Sequence, residues 1–203
     1  MHKPLWVVVA ALTLSACGMA ERDDEGPQSR DYLTFTDAAF EHYCIEKFDT
    51  NHDGRLSRYE AEGVRSIVCP NLEIESLDNI EAFIRLETLD CSNNRIERLS
   101  LDECRWLRTV DCSNNLLNEL SLNGLRTLST LRCNQNRLSV LDLDDTASLT
   151  MLNAESNALR TLDLTPCSSS LRALTRQNPT LEVIYYRAGQ QVDFESPTTI
   201  EER

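Results

Sequence analysis

The chain has 203 residues, a formal net charge of −13 and a pI of about 4.6. So acidic a surface repels phosphate backbones, which excludes nucleic acid as a natural partner. Its three histidines, His2, His42 and His52, fall in separate segments, so no Ser/His/Asp or Cys/His set can be nominated and the chain is not read as an enzyme.

Residues 1–16 open with His2 and Lys3, continue with an apolar run from Leu5 to Leu12, and end Leu14-Ser15-Ala16 before Cys17. The run is too short to span a bilayer and matches the apolar region of a secretory signal peptide. Leu14-Ser15-Ala16-Cys17 resembles the lipobox of bacterial lipoproteins, which implies cleavage before Cys17 and lipidation of that residue. A chance Cys after an ordinary signal peptide is the alternative. By analogy with enterobacterial sorting, Gly18 after the Cys leans towards the outer membrane. Residues 17–34 are charged, contain Gly26 and Pro27, and lack apolar periodicity, so they read as a solvated tether.

Residues 35–63 read as a cap. From Asp37 to Phe48, Phe40, Cys44 and Phe48 recur four apart on one helical face with Ile45 beside them. A twelve-residue segment follows, Asp49 to Glu60, with the spacing of an EF-hand calcium loop. Asp49, Asn51 and Asp53 supply side-chain oxygens and Gly54 takes the sharp turn. Arg55 offers its carbonyl, Ser57 acts directly or through water, and Glu60 closes the loop in bidentate fashion. The competing reading is that Ser57 and Glu60 form only a capping box at a helix start. With one loop and three acidic ligands, calcium would bind in the weak class of extracellular modules, about 10⁻⁴–10⁻³ M, as a structural staple.

Residues 64–187 repeat. Near-copies begin at Leu86, Leu107, Leu128 and Leu149, a spacing of 21 residues that marks a solenoid. Leu89 and Cys91 alternate with Asp90, and Leu99 and Leu101 with Ser100, which is the strand period. One coil cannot bury its own apolar face, but a stack of about six makes a continuous core. Asn94, Asn115, Asn136 and Asn157 recur where an amide can satisfy the backbone of a tight turn.

Val64, Ile67 and Cys69 anticipate the first coil, with Leu72 in the Asn slot. At the other end, Leu171, Leu174 and Arg176 are read as a degenerate coil, with Arg176 in the Cys slot and Pro179 in the Asn slot. Residues 188–203 are expected to be a loosely ordered tail.

Of the eight Cys, Cys17 belongs to processing, which leaves an odd number. Cys91, Cys112 and Cys133 share one slot, and parallel Cβ vectors suit a disulfide badly, so buried free thiols are expected. A bridge between Cys44 and Cys69 stays open.

Leu-x-x-Leu-x-Cys-x-x-Asn-x-Leu-x-x-Leu-x-Leu, as from Leu86 to Leu101, resembles the cysteine-type leucine-rich repeat of bacterial surface proteins, including the internalin J type. Joined to Tyr43 to Phe48 and the loop, it also resembles lipoproteins common in Bacteroidetes and other envelope-rich bacteria. The expected fold is therefore an α/β repeat: a short leucine-rich-repeat solenoid with a β-strand ladder, capped by a helix, an EF-hand-like loop and a helix.

The resemblance implies adhesion or protein recognition at the cell envelope. A periplasm-facing scaffold with no adhesin role is the alternative. Partner contact would use the outward rows of the first strands. These are Thr88, Thr109, Thr130, Met151 and Ala173; Asp90, Asp111, Arg132, Asn153 and Thr175; and Ser92, Ser113, Asn134, Glu155 and Gln177. The second row is the nominated partner site. No aromatic stripe runs there, so affinity could instead reside at Trp106, Tyr185 or Tyr186. The expected partners are a protein ligand and, through Cys17, a membrane; the chain itself is expected to be a monomer.

Overall fold

In the computed structural model, residues 31–195 and 197–203 are described; the leader, Cys17 and most of the tether lie outside them. Helix α1, Ala38–Phe48, starts at Asp37, whose side chain accepts from the amides of Ala39 and Phe40. Its apolar face is buried through Phe40 and Cys44. Phe40 and Phe48 pack against Phe83 of the first coil, with ring centroids 6.4 and 6.0 Å apart. Asp37 Oδ2 also accepts from the Glu75 and Ser76 amides, which joins the helix start to the stack. Helix α2, Arg58–Glu62, begins at Ser57 with the capping box present in both directions.

The solenoid winds between two sets of parallel strands. The first set is one seven-stranded sheet: β1 (Ser66–Val68), β2 (Thr88–Asp90), β4 (Thr109–Asp111), β6 (Thr130–Arg132), β7 (Met151–Asn153), β9 (Arg172–Leu174) and β11 (Gln191–Asp193). On the second side β3 (Arg98–Ser100) pairs β5 (Glu119–Ser121). There too, β10 (Val183–Tyr186) lies between β8 (Thr161–Asp163) and β12 (Thr199–Glu202). The middle residue of each first-sheet strand from β1 to β9 points inward and is fully buried: Ile67, Leu89, Val110, Leu131, Leu152 and Ala173. This is the short leucine-rich-repeat solenoid with an N-terminal cap that the repeats call for.

The turn after each strand puts a residue in the left-handed region: Asn93, Asn114, Gln135, Ser156 and Gln177, with φ from 54 to 59°. The next residue is an Asn, buried in each coil except for the half-buried Asn136, that ties its own coil to the one before. Asn115 Nδ2 donates to the Cys91 carbonyl of the previous coil at 3.0 Å and to its own Cys112 carbonyl at 3.2 Å. Its Oδ1 accepts from the Ile96 amide at 3.1 Å. Asn94, Asn136, Asn157 and Asn178 repeat the arrangement. The expected turn role of these amides is thus observed bond by bond.

Three expectations are corrected. First, the final coil keeps the 21-residue frame in its strand: Met151 pairs Arg172 and Leu152 pairs Ala173. Asn178, not Pro179, fills the Asn slot, donating to the Ala154 and Thr175 carbonyls at 2.9 Å. Thr175, not Arg176, fills the Cys slot and is 2% exposed. The extra residue that moves Leu171 is absorbed before the strand, where the Leu171 amide donates to Ser168 at 3.0 Å.

Second, the tail is an added, shortened coil. β11 extends the large sheet on β9, and β12 pairs β10, because an open parallel edge leaves backbone groups to satisfy. The Gln190 side chain donates to the Leu164 and Ser168 carbonyls, and Gly189 turns at φ 95° against the Ser169 backbone.

Third, the cap starts before residue 35. Tyr32 forms an antiparallel bridge with Ser57, the Leu33 amide donates to the Leu56 carbonyl at 2.9 Å, and Leu33 is buried.

Candidate functional site

The outer face of the seven-stranded sheet is built by alternation: whatever flanks the buried middle residue of each strand projects outward. β2, β4, β6 and β7 carry the rows read from the sequence. Asp90, Asp111, Arg132 and Asn153 stand side by side at strand spacing, in register. Arg132 Nη1 lies 3.8 Å from Asp111 Oδ2, across adjacent strands. Ser92 and Ser113 hydroxyls donate to the Oδ1 atoms of Asp90 and Asp111 at 2.7 and 2.6 Å, which orients both carboxylates.

The fifth members of the rows differ from the sequence reading. Thr175 is in the core and gives its hydroxyl to the Asp193 carbonyl, so it is withdrawn from the partner site. Ala173 is buried as well. Register puts Arg172 and Leu174 outward in their place, and Arg176 follows them with its Nε 2.7 Å from Asp193 Oδ1. Asn178, nineteen residues beyond Leu159 and bonded to its amide, was the sequence signal for this frame.

The loop from Asp49 to Glu60 is closed by its own side chains. Asp49 accepts from the amides of His52 at 2.7 Å and Gly54 at 2.8 Å, and Gly54 adopts φ 81°, a conformation open to glycine. Asn51 Oδ1 accepts from the Asp53 amide, and Asp53 Oδ1 from the Arg55 amide. Tyr32 donates its hydroxyl to Asp53 Oδ2 at 2.8 Å.

Glu60 Oε1 receives the amide and hydroxyl of Thr50, and Oε2 those of Ser57. Burial pushes the Glu60 carboxyl up, but the bonds from Ser57 and Thr50 together outweigh it, so the net shift is downward. Every side chain offered here is an oxygen donor, and carboxylate oxygens keep further lone pairs beyond these bonds, which is the chemistry a calcium ion takes. Among the described residues no three acidic, His or Cys side chains converge as a metal group. A bound ion would therefore also draw on the Asn51 amide oxygen, the Arg55 carbonyl and the Ser57 hydroxyl.

The seven described cysteines are free and buried, including Cys44 and Cys69. Desolvation raises every one of these thiols, Cys69, Cys104 and Cys133 to about 12. Cys112 and Cys133 donate weakly to the Arg132 and Asn153 carbonyls of the next coil. They are core groups of the stack.

Residues 84–127 match the family model described as leucine-rich repeats, two copies. The chain carries leucine-rich repeats. No curated protein matches it. Among solved structures it resembles the functional domain of InlJ from Listeria monocytogenes, described as including a cysteine ladder, at 25% identity and a TM-score of 0.59. That match covers 68% of this chain and 33% of the InlJ chain, so this protein spans a third of that relative's length. The internalin InlF of the same species is 18% identical with a TM-score of 0.61, covering 78% of this chain and 52% of its own. InlC2 is 17% identical with a TM-score of 0.50, covering 83% and 94%. The last two likenesses concern the fold alone.

Proposed function

We propose that this chain is a recognition protein of a bacterial cell envelope, anchored by lipid on Cys17 and binding a protein partner on the outer face of its seven-stranded sheet. The observation that carries this reading is the registered array of half-exposed side chains on that sheet. Asp90, Asp111, Arg132 and Asn153 sit on a rigid ladder, the two carboxylates are oriented by serines, and one ion pair spans strands β4 and β6. Preorganised polar groups on a stiff surface bind with less ordering cost than groups on a loop. The fold shared with internalins supports the same reading.

One calcium ion would be held by Asp49, Asn51, Asp53, Arg55, Ser57 and Glu60. Its role would be to tie α1 to α2 over the first coil, and no step of partner binding passes through it.

The test is chemical cross-linking on whole cells followed by capture of the chain. Wild type is expected to bring down a saturable partner. The Asp111→Ala, Arg132→Ala double variant is expected to lose it at least tenfold while its circular dichroism spectrum stays the same. Equal capture by both proteins would move the site off this face. Protease shaving of the same cells reports orientation: protection of the chain would favour a periplasm-facing scaffold over a surface adhesin.

A further inference from the structure

Trp106 is 59% exposed, on the turn that leads into β4, and it does not lie on the seven-stranded face. It lines a recess of about 360 Å³ with Arg65, Arg85, Glu87 and Arg108. Glu87 sits between two of the arginines: it pairs with Arg65 and lies 4.0 Å from Arg108 Nε. Arg85 has no ion-pair partner among the described residues. Three guanidiniums against one carboxylate make the recess net positive on a chain whose formal charge is −13.

This local reversal of sign comes from the repeat itself. Arg85 and Trp106 occupy equivalent positions in successive coils, as do Glu87 and Arg108, so the 21-residue period stacks them into adjacent columns on one flank. Nothing in the core requires an exposed indole here, because Leu86 and Leu107 beside them already fill the buried slots.

We infer that this flank is a second binding surface, and that it takes an acidic segment of a partner protein bearing an aromatic or aliphatic side chain next to its carboxylates. Arg and Trp are the residue types that concentrate binding energy at protein interfaces. Guanidiniums grip carboxylates in bidentate fashion, and the exposed indole offers a rigid apolar surface between them. Charge complementarity selects the occupant: the recess attracts acidic chain, while the acidic remainder of the protein repels a broad anionic surface such as a bilayer. A single segment meets only the recess. This inference does not rest on the sheet-face reading, and the two can fail separately.

The experiment uses the full chain; its one other indole, Trp6, lies in the segment read as the cleaved leader and is removed by Trp6→Phe where that segment is retained, so that Trp106 alone is read. The probe is a random copolymer of glutamate and tyrosine, titrated while Trp106 fluorescence is read. A saturable quench or shift is expected, weakening as sodium chloride is raised because the contact is exposed to screening. The Arg85→Glu, Arg108→Glu variant should bind the copolymer at least tenfold more weakly with an unchanged melting temperature. Arg132→Glu, on the sheet face, should bind it like the parent. Three results would overturn the inference: no response to the copolymer, an equal response in the flank variant, or a response only to phosphatidylglycerol vesicles. A loss in Arg132→Glu alone would assign the acidic segment to the sheet face instead.

Discussion

Replacing Asn115 by Ala tests how the coils are coupled. The residue is 6% exposed and makes three bonds that matter: to the Cys91 carbonyl, to the Cys112 carbonyl, and from the Ile96 amide. The two carbonyls keep partners after the change, since Asn94 also donates to Cys91 and Asn136 to Cys112. The Ile96 amide has no other acceptor, so it becomes a buried orphan. An orphaned donor costs about 1–3 kcal/mol and each lost but replaceable bond about 0.5–1.5 kcal/mol, which gives a loss of roughly 2–6 kcal/mol. Urea unfolding followed by circular dichroism measures it, with the slope of the transition checked for constancy. Because coils contact only their neighbours, the loss at this interior position should also separate the transition into two phases. A destabilisation below about 1 kcal/mol would refute the argument, because it would mean that water or a backbone shift satisfies Ile96 as well as the amide does.

Other outcomes follow from the cap and the core. Asp49→Ala should lower the melting temperature only when calcium is present, and identical melting of both proteins with and without the ion would end the staple proposal. In chelator, Glu60 contributes through its hydrogen bonds to Ser57 and Thr50, and its carboxyl is held below its usual range. Its contribution is therefore complete above the unfolded value of about 4.3 and disappears as pH falls through the lower folded value. Glu60→Gln should consequently flatten the acid limb of the cap's stability profile, and an acid limb as steep as in wild type would contradict it. The buried thiols, with Cys69, Cys104 and Cys133 near 12, should resist iodoacetamide at pH 8 until the stack opens. Labelling faster than unfolding would place one of them at the surface.

Much of this protein is legible in its sequence because the solenoid is built from local, repeated rules. The alternation around Leu89, Val110 and Leu131 sets which side chains are buried, and all three are. The Asn slot in the turn follows from the need to satisfy backbone in a tight coil, and Asn94 through Asn157 meet it. Even the cap could be anticipated, from Asp37 at the helix start to the Ser57 and Glu60 box.

The ends were not legible in the same way. Counting from Leu149 to Leu171 puts Ala173 and Thr175 outward, but the frame of a strand is decided by the neighbour it bonds to. Pairing Leu152 with Ala173 turns both inward and turns Arg172 and Leu174 out. A one-residue slip exchanges the two faces, so no periodicity within the coil alone can settle it.

The tail shows the same limit. Gln191–Asp193 and Thr199–Glu202 lack the leucine phrase, yet they pair with β9 and β10, because backbone hydrogen bonding to an open edge needs no side-chain pattern. The flank around Trp106 combines both sources. The period of 21 placed its residues in columns, and the winding of the chain brought Arg65, Arg85 and Arg108 around one recess. By itself the sequence determined the coil, its core and its turns, since those depend on contacts that recur at fixed spacing. The closure by the tail and the sign of charge at each surface were decided only in three dimensions, and the frame of the last coil, marked in the sequence by Asn178 alone, was settled by its pairing with β7. They depend on which strand lies beside which.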